Sequence, residues 1–157
     1  VIAYALLGEG DTAFRLWKMI NPLEHSKSKD EADLYMGEPY VLCGDVYAVP
    51  PFEGRAGWSW YSGSSSWLYQ AGLHSIIGLR LRPDYFFVDP CVPKDWGWFS
   101  FDYRRDGVTY RVTIENPRNV EHGVNSVEID GAVAPDKRIP YRRASETTDV
   151  IVRVTLG

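Results

Sequence analysis

The feature that most constrains this chain is a change of apolar period near Arg82-Pro83. Ahead of it, apolar residues recur every three or four positions, which gives a helix one buried stripe. Behind it they alternate with polar neighbours, which gives a strand one face in a core. Helices followed by strands, without βαβ alternation, predict an α+β chain in two parts, residues 1–82 and 83–157.

In the second part Phe99, Phe101 and Tyr103 alternate with polar residues, Asp106-Gly107 supplies a hairpin turn, and Val108, Tyr110, Val112 and Ile114 resume the alternation. Val124 to Ile129 turns at Asp130-Gly131, and Val150, Val152, Val154 and Leu156 mark a last strand. The expectation is an antiparallel β-sandwich.

The first part opens on Val1 to Leu7, an apolar run with no cap, charge or signal-peptide flank. It reads as a buried helix entered part-way, and hence predicts a fragment of a longer protein. Gly8-Glu9-Gly10 breaks it, and Asp11 or Thr12 can cap a second, antiparallel helix that carries Ala13, Phe14, Leu16, Trp17 and Ile20 and stops at Asn21-Pro22. Pro22 to Asp33, polar and rich in lysine, reads as a loop. Pro39 suits the first turn of a helix reaching about Tyr47. Phe52 to Gly57 is a glycine-bearing loop, and a final helix is expected from Ser64 to Ile77, stopped by Gly78.

Several function classes are disfavoured by composition. A net charge of -4 and a pI near 5.4 argue against a nucleic-acid surface, and the basic stretch Arg138 to Arg143 is broken by Ile139, Pro140 and Tyr141. No apolar run approaches the roughly 20 residues needed to span a bilayer, so no direct membrane contact is expected. Cys43 and Cys91, with three scattered histidines, have neither metal-ligand spacing nor the density of a disulfide scaffold. A reducing compartment suits them, and one long-range disulfide is compatible with them. Six Trp and ten Tyr are many for a chain of this length. Such rings suit a cleft that stacks on sugars, whose C–H faces are apolar and whose hydroxyls are polar.

The densest constellation runs from Gly54 to Trp67, GRAGWSWYSGSSSW. It supports two readings. Small residues, serine hydroxyls and free N–H groups at the start of a helix could cradle an anion, with the flanking rings facing a sugar. Alternatively Ser62 or Ser64 caps a helix, Gly63 turns the chain, and the tryptophans pack between helices. Glu38, just ahead of a proline at an expected helix start, could hold sugar hydroxyls or act on the helix dipole. Asp45 could stand as its partner, with no distance fixed between them, and His25, His74 and His122 read as structural.

The runs Glu38-Pro39-Tyr40-Val41, Gly44-Asp45-Val46-Tyr47, Gly54 to Ser64, Ile77-Gly78-Leu79-Arg80 and Asp89-Pro90-Cys91-Val92-Pro93 resemble the inverting phosphorylases of glycoside hydrolase family 94. Within the family the chain looks most like the carboxy-terminal region of cyclic β-1,2-glucan synthases, and more distantly like cellobiose and chitobiose phosphorylases. The resemblance implies the terminal helices of an (α/α)6 barrel followed by a β-sandwich. It also implies a reaction in which inorganic phosphate, as co-substrate, attacks a β-glucoside to give an α-sugar 1-phosphate, with neither metal nor cofactor.

By the same resemblance Ser62-Gly63 occupies the position of a phosphate-contacting Thr-Gly pair, and Glu38 that of a glutamate facing the sugar. Arg55 stands where disaccharide phosphorylases carry a glutamine, Tyr47 where they carry a lysine, and Trp60 joins them as a sugar-binding residue. The family's general acid and its phosphate-binding arginine and histidine belong upstream, so no catalytic residue is expected here and the chain alone should be inactive. The implied partners are a β-glucan oligosaccharide and phosphate, with self-association through uncovered helix faces. The implied setting is the cytoplasmic side, with the parent anchored in the inner membrane. Two competing functions are a noncatalytic carbohydrate-binding module using Trp98 or Tyr110, and a hydrolase in which water replaces phosphate.

Overall fold

The computed structural model describes residues 1–157, which divide into two compact units: Val1–Phe14 with Leu73–Gly157, and Arg15–Gly72. No helix is long and apolar enough to cross a membrane.

The first unit holds the strands. A three-stranded sheet has the order β1 (Leu79–Leu81), β2 (Tyr85–Val88), β7 (Ile139–Pro140). A five-stranded sheet has the order β3 (Trp98–Arg105), β4 (Val108–Glu115), β8 (Asp149–Leu156), β5 (Val124–Ile129), β6 (Ala132–Val133). The expected hairpins form at Asp106-Gly107 and Asp130-Gly131, where both residues of each turn have positive φ. Strict alternation explains the burial: Val108, Tyr110, Val112 and Ile114 point inward from β4, and Val150, Val152, Val154 and Leu156 from β8. The two sheets meet through the buried Phe86 ring, whose centroid lies 5.1 Å from both Tyr103 and Tyr110 in edge-on contacts.

An all-antiparallel sandwich is corrected at one seam. β8 runs parallel to β4, with Tyr110 opposite Val150 and Val112 opposite Val152. Alternation specifies which face is buried and carries no strand direction, so the pattern reads the same for either pairing. Strands β1 and β2 are additional to those legible from the period.

The helices depart further from expectation. Helix α1 (Ile2–Leu6) is a single short turn with Leu6 and Leu7 about three-quarters exposed, where a buried helix was expected. Helix α2 (Gly10–Ile20) begins at Gly10, whose missing side chain lets it approach the Val92 carbonyl; a Cβ there would lie 2.2 Å from that oxygen. Asp11 does not cap this helix. Its carboxylate accepts the Lys94 amide and pairs with the Lys94 ammonium at 2.9 Å, which holds its pKa below the ordinary carboxylate value.

In the second unit, the stretch read as a loop forms a 3-10 turn at Pro22–His25 and helix α3 (Lys29–Tyr35). Helix α3 starts on a full capping box: Ser28 Oγ accepts the Glu31 amide, and Glu31 Oε2 accepts the Ser28 amide. The helix expected from Pro39 to Tyr47 does not form. The last helix, α4 (Ser62–Gln70), starts two residues earlier than expected and continues as a π-helical turn, Ala71–Ile76.

Candidate functional site

In place of a helix after Pro39, residues 42–47 pair with residues 54–61. The Tyr47 amide donates to the Arg55 carbonyl at 2.9 Å and the Gly54 amide to the Tyr47 carbonyl at 2.8 Å, both on one side of an isolated bridge between Val46 and Ala56. Further along, the Gly57 amide donates to the Asp45 carbonyl at 2.9 Å and the Tyr61 amide to the Leu42 carbonyl at 3.1 Å. In the expected helix the Tyr47 amide would have donated to the carbonyl four residues back; here it donates across the loop instead. Two glycines permit the approach: a Cβ on Gly44 would lie 2.8 Å from the Tyr61 ring, and one on Gly57 would lie 2.2 Å from Asp45 Oδ1.

Three of the sequence-predicted groups fall on this two-legged loop. Tyr47 and Arg55 gather around Phe52, with the Tyr47 ring 6.1 Å from it and the Arg55 guanidinium 5.6 Å from its centroid. Glu38 and Trp60 form a second cluster. The Trp60 indole N–H donates to Glu38 Oε1 at 3.2 Å, and the Tyr40 ring meets Trp60 edge-on at 5.6 Å. Trp60 adopts a left-handed backbone, φ 66°, which side chains other than glycine rarely take and which neighbouring contacts must hold.

Glu38 Oε2 is enclosed without a hydrogen bond of ordinary geometry, although the nearby Ser59 hydroxyl favours the charged carboxylate. The Ser59 hydroxyl, the Glu38 main chain and the Trp60 indole together hold the Glu38 pKa below its ordinary value, against the opposing effect of burial. At neutral pH this group is an anion that accepts hydrogen bonds, which suits sugar hydroxyls as donors.

Ser62 and Gly63 follow Trp60 by two and three residues and form the first turn of α4. Tyr61 is the N-cap residue and makes no side-chain cap bond. Neither Ser62 nor Ser64 therefore takes the N-cap position. The Ser62 amide donates back to the Trp60 carbonyl at 2.8 Å, and a Cβ on Gly63 would meet nothing within 4 Å. The amino end of a nine-residue helix thus presents a serine hydroxyl and a side-chain-free residue beside the tryptophan loop. One more serine braces this end: Ser65 Oγ accepts the Leu42 amide at 2.8 Å and donates to the Tyr61 carbonyl at 3.1 Å. A cavity of about 320 Å³ opens alongside, lined in part by Ser64, Cys43, Asp45, Tyr35 and His25.

Asp45 is not paired with Glu38. Its Oδ1 accepts the Trp58 amide at 3.1 Å, a bond no sequence pattern announces. Two histidines are occupied locally, His25 Nε2 with the Met19 carbonyl at 2.9 Å and His74 Nδ1 with the Leu79 carbonyl at 2.8 Å. Sequence reasoning also missed Tyr40 and Ser59, whose only signal was their nearness to Glu38-Pro39 and Trp60.

Comparison with known proteins places this loop in a family. Residues 1–78 match the glycosyl hydrolase 94 superfamily catalytic domain, and over those residues the chain belongs to that superfamily. Among individual proteins, it is 36% identical over 133 residues, 85% of its length, to the cyclic beta-(1,2)-glucan synthase NdvB of Rhizobium meliloti (strain 1021). It is 31% identical over 152 residues, 96% of its length, to the N,N'-diacetylchitobiose phosphorylase of Vibrio proteolyticus. A third relative, at 25% over 99 residues and 63% of the chain, is the 3-O-beta-D-glucopyranosyl-beta-D-glucuronide phosphorylase of Paenibacillus borealis. The chain spans 5%, 19% and 13% of the lengths of these three proteins.

Proposed function

We propose that this chain supplies part of the sugar and phosphate site of a phosphorylase-type domain that cleaves β-glucan to α-glucose 1-phosphate, within a cyclic β-1,2-glucan synthase. In this reading residues 1–82 are the end of an (α/α)6 barrel and residues 83–157 a carboxy-terminal sandwich domain. The observation that carries it is the continuity of one short segment: the Glu38–Trp60 hydrogen bond, the exposed Trp60 ring and the open first turn of α4 lie within it.

The sugar stacks on Trp60 and donates hydroxyls to Glu38, while Tyr47 and Arg55 contact a neighbouring unit of the glycan. Phosphate sits at Ser62-Gly63, where the serine hydroxyl and the helix amides donate to its oxygens and the helix dipole opposes its charge. Attack by that phosphate on the anomeric carbon requires an acid on the leaving oxygen. That acid comes from the remainder of the enzyme, so the chain alone does not turn over. Inorganic phosphate is the co-substrate, no metal or other cofactor is needed, and the parent works on the cytoplasmic side of the inner membrane. The exposed Leu6 and Leu7 at the carboxy end of α1 are the surface through which the isolated chain would self-associate.

Replacing both Ser62→Ala and Gly63→Ala in the full-length enzyme tests the reading, with α-glucose 1-phosphate release from β-1,2-glucan as the measurement. The expected loss is about a hundredfold, the scale seen when preorganised donors to a charged group are removed. Unchanged release would sink the phosphate assignment, and free glucose in place of the phosphate ester would identify a hydrolase.

A further inference from the structure

The segment from Leu42 to Tyr61 contains neither helix nor extended strand, yet it carries Trp60 in a left-handed backbone against Glu38. Something must hold that arrangement. Ladder bonds secure the far end of the loop, around Tyr47 and Arg55, through main-chain atoms alone. At the near end, two residues before Trp60, the contact is different. Asp45 presents its carbonyl to the Gly57 amide at 2.9 Å and its carboxylate Oδ1 to the Trp58 amide at 3.1 Å, while the Gly44 amide returns to the Trp58 carbonyl at 2.6 Å. Both polar groups of the Trp58 peptide links are therefore tied to Gly44-Asp45. Gly57 leaves room for the carboxylate, because any Cβ there would lie 2.2 Å from Oδ1.

We propose that Asp45 is a positioning residue: by clamping the Trp58 amide it fixes the left-handed turn that sets the Trp60 indole on Glu38. Its function in the sugar site rests on the reading above, but the clamp itself does not. Asp45 acts as a hydrogen-bond acceptor through one oxygen, not as an acid or as a counter-ion, so the amide oxygen of asparagine can replace it.

The test follows the ¹⁵N indole resonance of Trp60 in this chain, assigned by its loss in Trp60→Phe. Asp45→Asn should leave that resonance in place. Asp45→Ala should shift or broaden it while the amides of β4 and β8 are unmoved. Gly57→Ala keeps Asp45 but displaces its carboxylate, and because Gly57 is not in the left-handed region the new methyl adds no backbone strain; it should reproduce the Asp45→Ala change.

An unmoved Trp60 resonance in Asp45→Ala overturns the proposal. So does an Asp45→Asn spectrum matching that of Asp45→Ala, which would make the charge the essential property. Loss of the sheet amides in both Asp45→Ala and Gly57→Ala also overturns it, since the clamp would then hold the fold and not the loop. Titration with β-1,2-gluco-oligosaccharide adds a functional arm: affinity should fall at least about tenfold in Asp45→Ala and be retained in Asp45→Asn, by misplacement of a contact group. If the unsubstituted chain binds no oligosaccharide, the functional reading fails while the indole result still decides the clamp.

Discussion

The strand-bearing unit and the Arg15–Gly72 unit use aromatic side chains in opposite ways. In the first, Phe86 and Tyr110 are fully enclosed, and the Tyr110 hydroxyl is satisfied by the Arg142 amide at 2.7 Å. In the second, Trp58, Trp60 and Trp67 are each more than 60% exposed. A buried ring contributes apolar area and packing to stability, whereas an exposed ring on a loop held by hydrogen bonds is available to a ligand. The difference teaches that the two units should fail in different ways: substitutions in the sheet are expected to cost folding, and, on the proposed function, substitutions in the loop to cost recognition.

The largest effect that would sharpen this contrast is in the sheet. Ile114 on β4 is 0% exposed and is paired with Phe99 on β3 and Val154 on β8, and Ile114→Ala should destabilise the chain by about 2–5 kcal/mol, read from denaturant or thermal melting. A change below about 1 kcal/mol would mean that the sheet core repacks freely and that the contrast is wrong.

Next in size is glycan binding. Trp60→Ala should weaken β-1,2-gluco-oligosaccharide binding about tenfold, near 1.4 kcal/mol, and leave melting nearly unchanged. Trp98 is 70% exposed on β3, and Trp98→Ala should alter neither. The reverse ranking would favour a carbohydrate-binding module on the strands and would break the division of labour drawn here.

The smallest effect is a pH dependence confined to the loop. Glu38 has its carboxyl pKa held below the ordinary 4.5, first by the Ser59 hydroxyl and then by its own main chain and Trp60. A depressed folded value means that the carboxylate's contribution is complete above pH 4.5 and is lost as the pH falls through the lower folded value. The Trp60 indole resonance should therefore move below pH 4.5 and not above it, and Glu38→Gln should abolish the transition. A midpoint above 4.5 would contradict the assignment.

Sequence alone determined the strands that rest on alternation. The inward residues of β4 and β8 and the hairpin turns at Asp106-Gly107 and Asp130-Gly131 were readable because side-chain period and turn chemistry are local properties. The motif from Glu38 to Ser64 was also readable, since residue types and order suffice to recognise a family. Local signals were present even where they were passed over: the Ser28 and Glu31 spacing announces the capping box of α3 within the lysine-rich stretch.

Only the tertiary structure decided the rest. The parallel seam between β4 and β8 joins residues some forty positions apart, and no local pattern carries strand direction. Pro39 and the apolar residues after it suit a helix, but the amides of Gly44 and Tyr47 find carbonyls on residues 55–58 instead, and those long-range bonds override local preference. For the same reason Asp45, which by sequence could stand only as a partner of Glu38, is a clamp by position: its role is set by the Trp58 amide thirteen residues away, which comes within reach of its carboxylate only when the chain has folded.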